Sequence, residues 1–453
     1  MSFIPAILKD ETFRAKLRAI ALPVALQNLI GFSVTAADTL MLGRLGEVQL
    51  SAAAVSNQVS FTYMVLTFGL SGGCGVLTAQ YWGAGNKEKV REIFSFMYRA
   101  VALLSLTAAS VAFFFPQQVL GFIITDPEVI AEGVRYLRIM SVGYLISGIT
   151  MASFGILRST GTVKIAVVAT LSALFVSVTL NYGLIFGNFG MPALGIEGAA
   201  IATVIARVVE VVILAVYLFK VEQKIAFRPR SLLLRGKGVG RRFLLHGSPV
   251  LVNEIGWASA NFMLGVIIGR MGRAFVAANA IGSLMIQFVG IIIFGVSSSA
   301  AAIIGNTVGA GEIDKAKRYA NGLLATSFFL GILGFAAIQA IRVPLINFYE
   351  LSATAHLYAR QITHVISVMV IFMSVAVVSL MGTLRGGGDT KFVALVDIIF
   401  PWLIAIPLGA FVGLYLGWPV YLVYIVLRSE DVFKALVVLW RVPRGRWIRD
   451  VTK

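Results

Sequence analysis

Three carboxylates stand where this chain has little reason to place them. Asp38, Glu254 and Asp397 each fall inside an apolar run long enough to cross a bilayer. A charged side chain in hydrocarbon costs roughly 3 kcal/mol even on lenient insertion scales, so an acid kept there points to ion or proton handling. An ionised carboxylate in such a place can take up a proton, hold a monovalent cation or pair with an organic cation. Asp38, Glu254 and Asp397 are therefore the candidate functional acids. Other deep polar side chains accompany them. Gln27 precedes Asp38 by eleven residues, about three turns, which puts the two on one helix face roughly 16 Å apart. Glu254, Trp257, Ala258 and Asn261 recur at helical spacing on one stripe. Asn279, Ser283 and Gln287 step along another face, and Asn181 and His364 lie in two further runs. Asp397 follows Lys391 by nearly two turns, in a run broken by Pro401 and Pro407.

Gln27, Asn181, Trp257, Asn261, Asn279 and Gln287 are the candidate lining of a substrate cavity. Bonding between helices is the plain alternative for Asn279, Gln287 and Trp257. For Asp397 the alternative is stabilisation by Lys391 and a nearby membrane surface. Arg207 with Glu210, and Asp431 with Lys434, are each three residues apart and read as local ion pairs.

The elements that must position these groups are membrane helices. Of 453 residues, 58% are hydrophobic and 13% charged, about half the charge of a soluble domain. Continuous apolar runs exclude a β-barrel. The fold class is all-α and polytopic, with twelve spans near 20–43, 50–81, 93–116, 131–156, 164–187, 194–219, 245–269, 275–307, 317–341, 357–383, 392–415 and 419–441. The one sizeable linker, 220–244, is polar and basic, and it separates a first lobe, 1–219, from a second, 245–453. Residues 1–20, with Lys9, Arg14, Lys16 and Arg18, read as an amphipathic lead-in with no removable signal. The net charge of +17 lies in short loops, so it speaks for a positive-inside bias and not for nucleic acid. Loops on the linker's side hold Lys87, Lys89, Arg91, Arg158, Lys164, Lys315, Lys317, Arg318, Arg385 and Lys391; the opposite loops hold only Arg44, Arg270, Arg273 and Arg342. That asymmetry puts both termini and the linker in the cytoplasm.

The halves repeat. At an offset of 226 residues Pro23-Val24 falls on Pro249-Val250, Gly43-Arg44-Leu45-Gly46 on Gly269-Arg270-Met271-Gly272, and Gly83-Ala84-Gly85 on Gly309-Ala310-Gly311. At 227, Leu157-Arg158-x-x-Gly161-x-x-Lys164 falls on Leu384-Arg385-x-x-Gly388-x-x-Lys391. Six spans per unit give the lobes one orientation, related by a pseudo-two-fold axis along the membrane normal. The acids are not repeated: Asp38 maps onto Leu264, Glu254 onto Asn28 and Asp397 onto Thr170.

Other chemistries lack their residues. Cys74 is the single cysteine and His246, His356 and His364 form no metal spacing, which leaves no nucleophile–base or metal constellation for a membrane enzyme. GLSGGCG at 69–75 and LRGGGDTK at 384–391 match no nucleotide-binding pattern. No cofactor is expected beyond a coupling ion.

Several segments together resemble the multidrug and toxic compound extrusion (MATE) family. They are Pro23 with Ala37-Asp38-Thr39-Leu40-Met41-Leu42-Gly43, then Gln80-Tyr81-Trp82-Gly83-Ala84-Gly85, Leu194-Gly195-Ile196-Glu197-Gly198-Ala199-Ala200, and Leu384-Arg385-Gly386-Gly387-Gly388-Asp389-Thr390. The resemblance implies a two-lobe, twelve-helix antiporter in a bacterial or archaeal cytoplasmic membrane, exporting cationic amphipathic drugs in exchange for Na+ or H+, with Asp38 as the acid of the first helix. There are departures. Asn181 stands where the DinF-type branch has an aspartate; Glu254 comes about one turn earlier than the NorM-type acid; and Phe372 to Met381 in the tenth span holds no acid. Asp397 is the candidate substitute for that missing acid. The resemblance thus makes Asp38, Glu254 and Asp397 candidate coupling groups, with Asp38 or Glu254 the candidate ligand for Na+. The expectation is a monomeric, cation-coupled exporter of cationic small molecules, in contact with membrane lipid. A lipid-linked saccharide flippase is the alternative, and it would call for a basic cavity. A major facilitator would need a basic signature after the second span that Trp82 to Arg91 lacks, and uphill efflux would separate an exporter from a channel.

Overall fold

The computed structural model describes residues 10–452 except 235, 237 and 350. Lys9, Arg235 and Lys237 lie outside the described residues. Twelve long helices follow one another: α1 (Glu11–Gly43), α2 (Glu47–Gly83), α3 (Lys87–Phe114), α4 (Pro127–Ser159), α5 (Lys164–Phe186), α6 (Gly195–Val221), α7 (Val239–Arg270), α8 (Arg273–Gly309), α9 (Ile313–Phe348), α10 (Ala353–Leu384), α11 (Thr390–Tyr415) and α12 (Val420–Arg441). They form the two six-helix lobes anticipated from the repeat. Eleven of them are long and apolar enough to cross a membrane by length and composition. The exception is α12, whose 22 residues include Arg428, Glu430, Asp431 and Lys434.

Local chemistry sets the helix ends. Asp10 caps α1 by accepting from the amides of Thr12 and Phe13, Asn86 caps α3 through Lys89, and Asp126 caps α4 with Pro127 in the first helical position. The basic lead-in is not a separate element. Arg14, Lys16 and Arg18 belong to the first turns of α1, which runs unbroken for 33 residues. In α11, Pro401 cannot supply the amide that would bond the Asp397 carbonyl, and wide turns occupy Phe400–Ala405 and Phe411–Tyr415.

The lobes meet at their linker-side ends, across α2 and α8, α2 and α7, and α1 and α8. Glycines make the approach possible. A Cβ on Gly83 would overlap the Asn306 carbonyl, and one on Gly309 would overlap the Gln80 carbonyl. One on Gly73 would lie 2.6 Å from the carbonyl oxygen of Gly247. The glycines of GLSGGCG thus serve close packing, as small residues do between membrane helices. Helix α1 is shared: Phe13, Ile20 and Val24 pack in the core of the second lobe, while Leu42 packs in the first.

Two further segments brace the linker side. The linker lies on α3, where Arg91 Nε donates to the Ile225 carbonyl at 2.7 Å and Ser95 Oγ to that of Leu232 at 2.8 Å; Ile225 and Phe227 are wholly buried. The chain after α12 crosses between lobes. Trp447 is wholly buried in the core of the second lobe and Val451 in that of the first. Gln80 of α2 clamps this crossing: its Nε2 donates to the carbonyls of Gly386 and Arg449, and its Oε1 accepts from the Val451 amide at 2.8 Å. Asp389 receives Arg441 at 2.7 Å and Arg449 at 3.0 Å. The LRGGGDTK segment is the seat of this crossing strand.

Replacing Gly309 by valine should lower stability by about 1–3 kcal/mol, since the added methyls have no room against the Gln80 backbone. Thermal unfolding of the purified protein measures it, and an unchanged midpoint would show that the two helices can separate freely.

Candidate functional site

Asp38 sits half-buried near the far end of α1, against α5. Helix α5 buries a face of small residues, Ala166, Ala169, Thr170, Ala173, Ser177 and Asn181, which lets α1 approach closely. There Asn181 Nδ2 donates to Asp38 Oδ1 at 2.5 Å and lies 3.5 Å from Ser177 Oγ. Asn181 is fully buried and its own carbonyl oxygen has no partner. Among the described residues no basic group lies within 4 Å of Asp38. Arg207 on α6 is turned to Glu210 at 2.8 Å, and Glu210 also accepts from Thr170 at 3.2 Å, so the local ion pair read from the sequence is present. The Asn181 amide and the Ser177 hydroxyl, both neutral, support the Asp38 charge at close range, which leaves the carboxylate suited to binding a proton or a small cation. An amide suits both conditions: its NH2 donates to the ionised acid, and its oxygen can face a protonated acid or a cation.

The two candidate acids of the second lobe, Asp397 and Glu254, are each paired with a base. Asp397, 3% exposed, accepts from Asn253 Nδ2 at 2.8 Å and pairs with Lys434 Nζ at 3.0 Å. Lys434 also reaches Glu430, one turn away, at 3.0 Å. Two expectations need correction here. The partner of Asp397 is Lys434 from α12 and not Lys391, because Asp397 faces the lobe interior. Lys434 in turn pairs with Asp397 and Glu430 rather than Asp431, since the residue four back and the facing helix both offer closer oxygens. Glu254, the next residue after Asn253, turns toward α10 and takes Arg385 Nη2 at 2.9 Å. That pair abuts the lobe interface: a Cβ on Gly69 would lie 3.5 Å from Glu254 Cγ, and one on Gly72 3.7 Å from Arg385 Nη1.

Gln27 accepts from Arg158 at 3.5 Å, and Arg158 crosses the interface to donate to Ser298 at 3.2 Å. Asn181 is a buried partner of Asp38 and does not line an open cavity. Asn261 is tied to its own helix through the Trp257 carbonyl at 2.9 Å, while Gln287 is exposed and Asn279 keeps a buried, unpartnered oxygen. His364 meets Gln339 at 3.0 Å. A separate apolar cavity of 490 Å³ lies between α2, α3 and α4, lined by Tyr63, Leu104, Phe122 and Tyr144 among others, and none of the candidate residues reaches it. Sequence reasoning passed over Arg385 and Asn253 as partners and gave Lys434 to Asp431 instead of Asp397. The repeat carried the signal for two of them, since Arg385 falls on Arg158 and Lys434 on Arg207 at the same offset.

The MatE family model matches residues 23–183 and 249–411, so one copy of the match falls on each lobe. The chain belongs to the MatE family. Its members are membrane transporters, and this chain is an integral membrane protein of the same kind. It is 25% identical over 453 residues to a probable multidrug resistance protein NorM of Thermotoga maritima, covering 97% of this chain and 94% of that one. It is 23% identical to the multidrug resistance protein PmpM of Pseudomonas aeruginosa, covering 88% and 84%. Among solved structures, a MATE protein in complex with MaL6 superposes with a TM-score of 0.86 at 18% identity, covering 95% of this chain and 96% of that one. Of the three candidate acids, the MatE fold here leaves the one in the first lobe without a base within 4 Å among the described residues and pairs the two in the second.

Arg385→Gln should destabilise the protein by roughly 3–5 kcal/mol, because it leaves Glu254 charged and buried. Adding Glu254→Gln should recover most of that loss. Unfolding midpoints of the two variants decide it, and a double variant as unstable as the single one would assign the loss to packing.

Proposed function

We propose that this chain is a cation-coupled antiporter that exports cationic, amphipathic organic compounds by alternating access, driven by Na+ or H+. The observation that carries the reading is Asp38, an intramembrane carboxylate backed by the Asn181 amide with no basic group within 4 Å among the described residues. Taking up the coupling cation neutralises that charge and changes the relative cost of the two facing states, which ties the gradient to release of the organic cation. The names of the relatives, multidrug resistance proteins in several bacteria, support drugs as the cargo.

With the Lys/Arg-rich loops, both termini and the linker in the cytoplasm, the closed glycine interface faces inward. Transport then requires α2, α7 and α8 to part along that interface, with Arg158 leaving Ser298. The chain works as a monomer in a bacterial or archaeal cytoplasmic membrane, since its own two lobes complete the pathway. A saccharide–pyrophosphate flippase would need several free cations in the cavity, whereas Arg385 and Lys434 are held by acids and only Arg158, bonded to Gln27 and Ser298, stands at the lobe interface without an acid within 4 Å among the described residues.

Efflux of a cationic dye from proteoliposomes, under an imposed Na+ gradient or an imposed pH gradient, tests this and distinguishes the ions. Asp38→Asn should abolish gradient-driven efflux, and resistance in a drug-sensitive host, at unchanged expression. Efflux by that variant at the wild-type rate would sink the reading.

A further inference from the structure

The two lobes carry related polar arrangements with one component differently used. In the first lobe an acid on the first helix, Asp38, meets an amide on the fifth, Asn181. In the second lobe the amide is on the first helix of the lobe, Asn253, and the acid on the fifth, Asp397. Each lobe also has a base on its sixth helix at equivalent repeat positions, Arg207 and Lys434. Arg207 is turned away to Glu210, whereas Lys434 bonds the acid itself.

We infer that Lys434 is a tethered cation occupying the ion site of the second lobe, so that only the first lobe takes an exogenous cation during transport. This rests on the cation-coupled reading above. The ammonium is surrounded as a bound monovalent cation would be. Asp397 Oδ1 and Glu430 Oε2 each lie 3.0 Å from Nζ. Asn253, fully buried and bonded to Asp397 through its NH2, keeps a carbonyl oxygen with no partner. Lys434 is 5% exposed, Asp397 3% and Glu430 8%, so water does little of the solvation. Carboxylate and amide oxygens are the donors that hard cations take; the ammonium, a compact charge, neutralises Asp397 and Glu430 as an ion pair and leaves the Asn253 oxygen unmet. Two more charges on α12, Arg428 and Asp431, line a small cleft beside this cluster with Ile286, Met369 and Met373. Removing the lysine charge would leave Asp397, Glu430 and Asp431 against Arg428 alone, a strong inducement to bind a cation from solution. Arg385 plays the same part for Glu254, which leaves Asp38 as the one of the three candidate acids, Asp38, Glu254 and Asp397, with no base within 4 Å among the described residues.

Lys434→Gln, purified in nanodiscs, tests the inference. Its unfolding midpoint should rise saturably by a few degrees as NaCl or KCl replaces N-methylglucamine chloride, and Asp397→Asn added to it should remove the response. In the wild type Asp397→Asn should lower stability while leaving the number of cations moved per dye molecule unchanged. A folded Lys434→Gln protein with no saturable Na+ or K+ response overturns the inference. Should that variant not fold, the ratio decides: loss of coupling in Asp397→Asn overturns the inference, and an unchanged ratio upholds it. Coupled efflux surviving in Asp38→Asn would instead overturn the transport reading, and the Lys434→Gln response would stand apart from it.

Discussion

Charge in a medium that cannot solvate it is the constraint on which this structure turns. Every buried acid in the helices must find compensation, and the lobes solve that problem with different strength. In the second lobe Glu254 and Asp397 each hold a full cation from a neighbouring helix. Such pairs roughly break even against their desolvation cost, so they orient α7, α10, α11 and α12 more than they stabilise them. In the first lobe Glu210 has Arg207, while Asp38 has an amide. The compensation withheld from Asp38 is the compensation that something outside the chain can supply.

Much of this was legible in the residues. Apolar runs and the repeat located the helices and divided the chain, because membrane spans follow from length and hydropathy alone. Asp38 stood out on the same ground. The repeat also placed bases at 158 and 385, and at 207 and 434. It could not show which acid each base would hold, because that depends on helix rotation and depth. Asn253 and Glu254 are adjacent in sequence yet serve different helices, α11 and α10. The exchange of acid and amide between the lobes was hidden for the same reason. Aligned columns set Asp38 beside Leu264 and Asn181 beside Leu408, so the correspondence exists only between pairs.

Closure on the linker side is built from absent side chains. Gly83 and Gly309 place α2 and α8 with backbone against backbone, a contact stabilised by dispersion and not by interlocking knobs. Surfaces of that kind can part without unthreading bulky side chains from one another. Side-chain to side-chain bonding across the interface is light, a single hydrogen bond of 3.2 Å from Arg158 to Ser298, with Gln80 adding its bonds to main-chain groups of the other lobe. A seam that is tight but smooth suits two lobes that must separate and return.

Gln80 fastens the crossing strand through main-chain groups, two carbonyls and one amide. The clasp therefore takes no account of which side chains the strand carries at 449 and beyond, provided the amide at 451 is present. Proline at that position is the one residue type that would silence it. This fastening is written in a single glutamine on α2, apart from the side-chain contacts that Arg449 makes with Asp389 and Val451 with the first-lobe core.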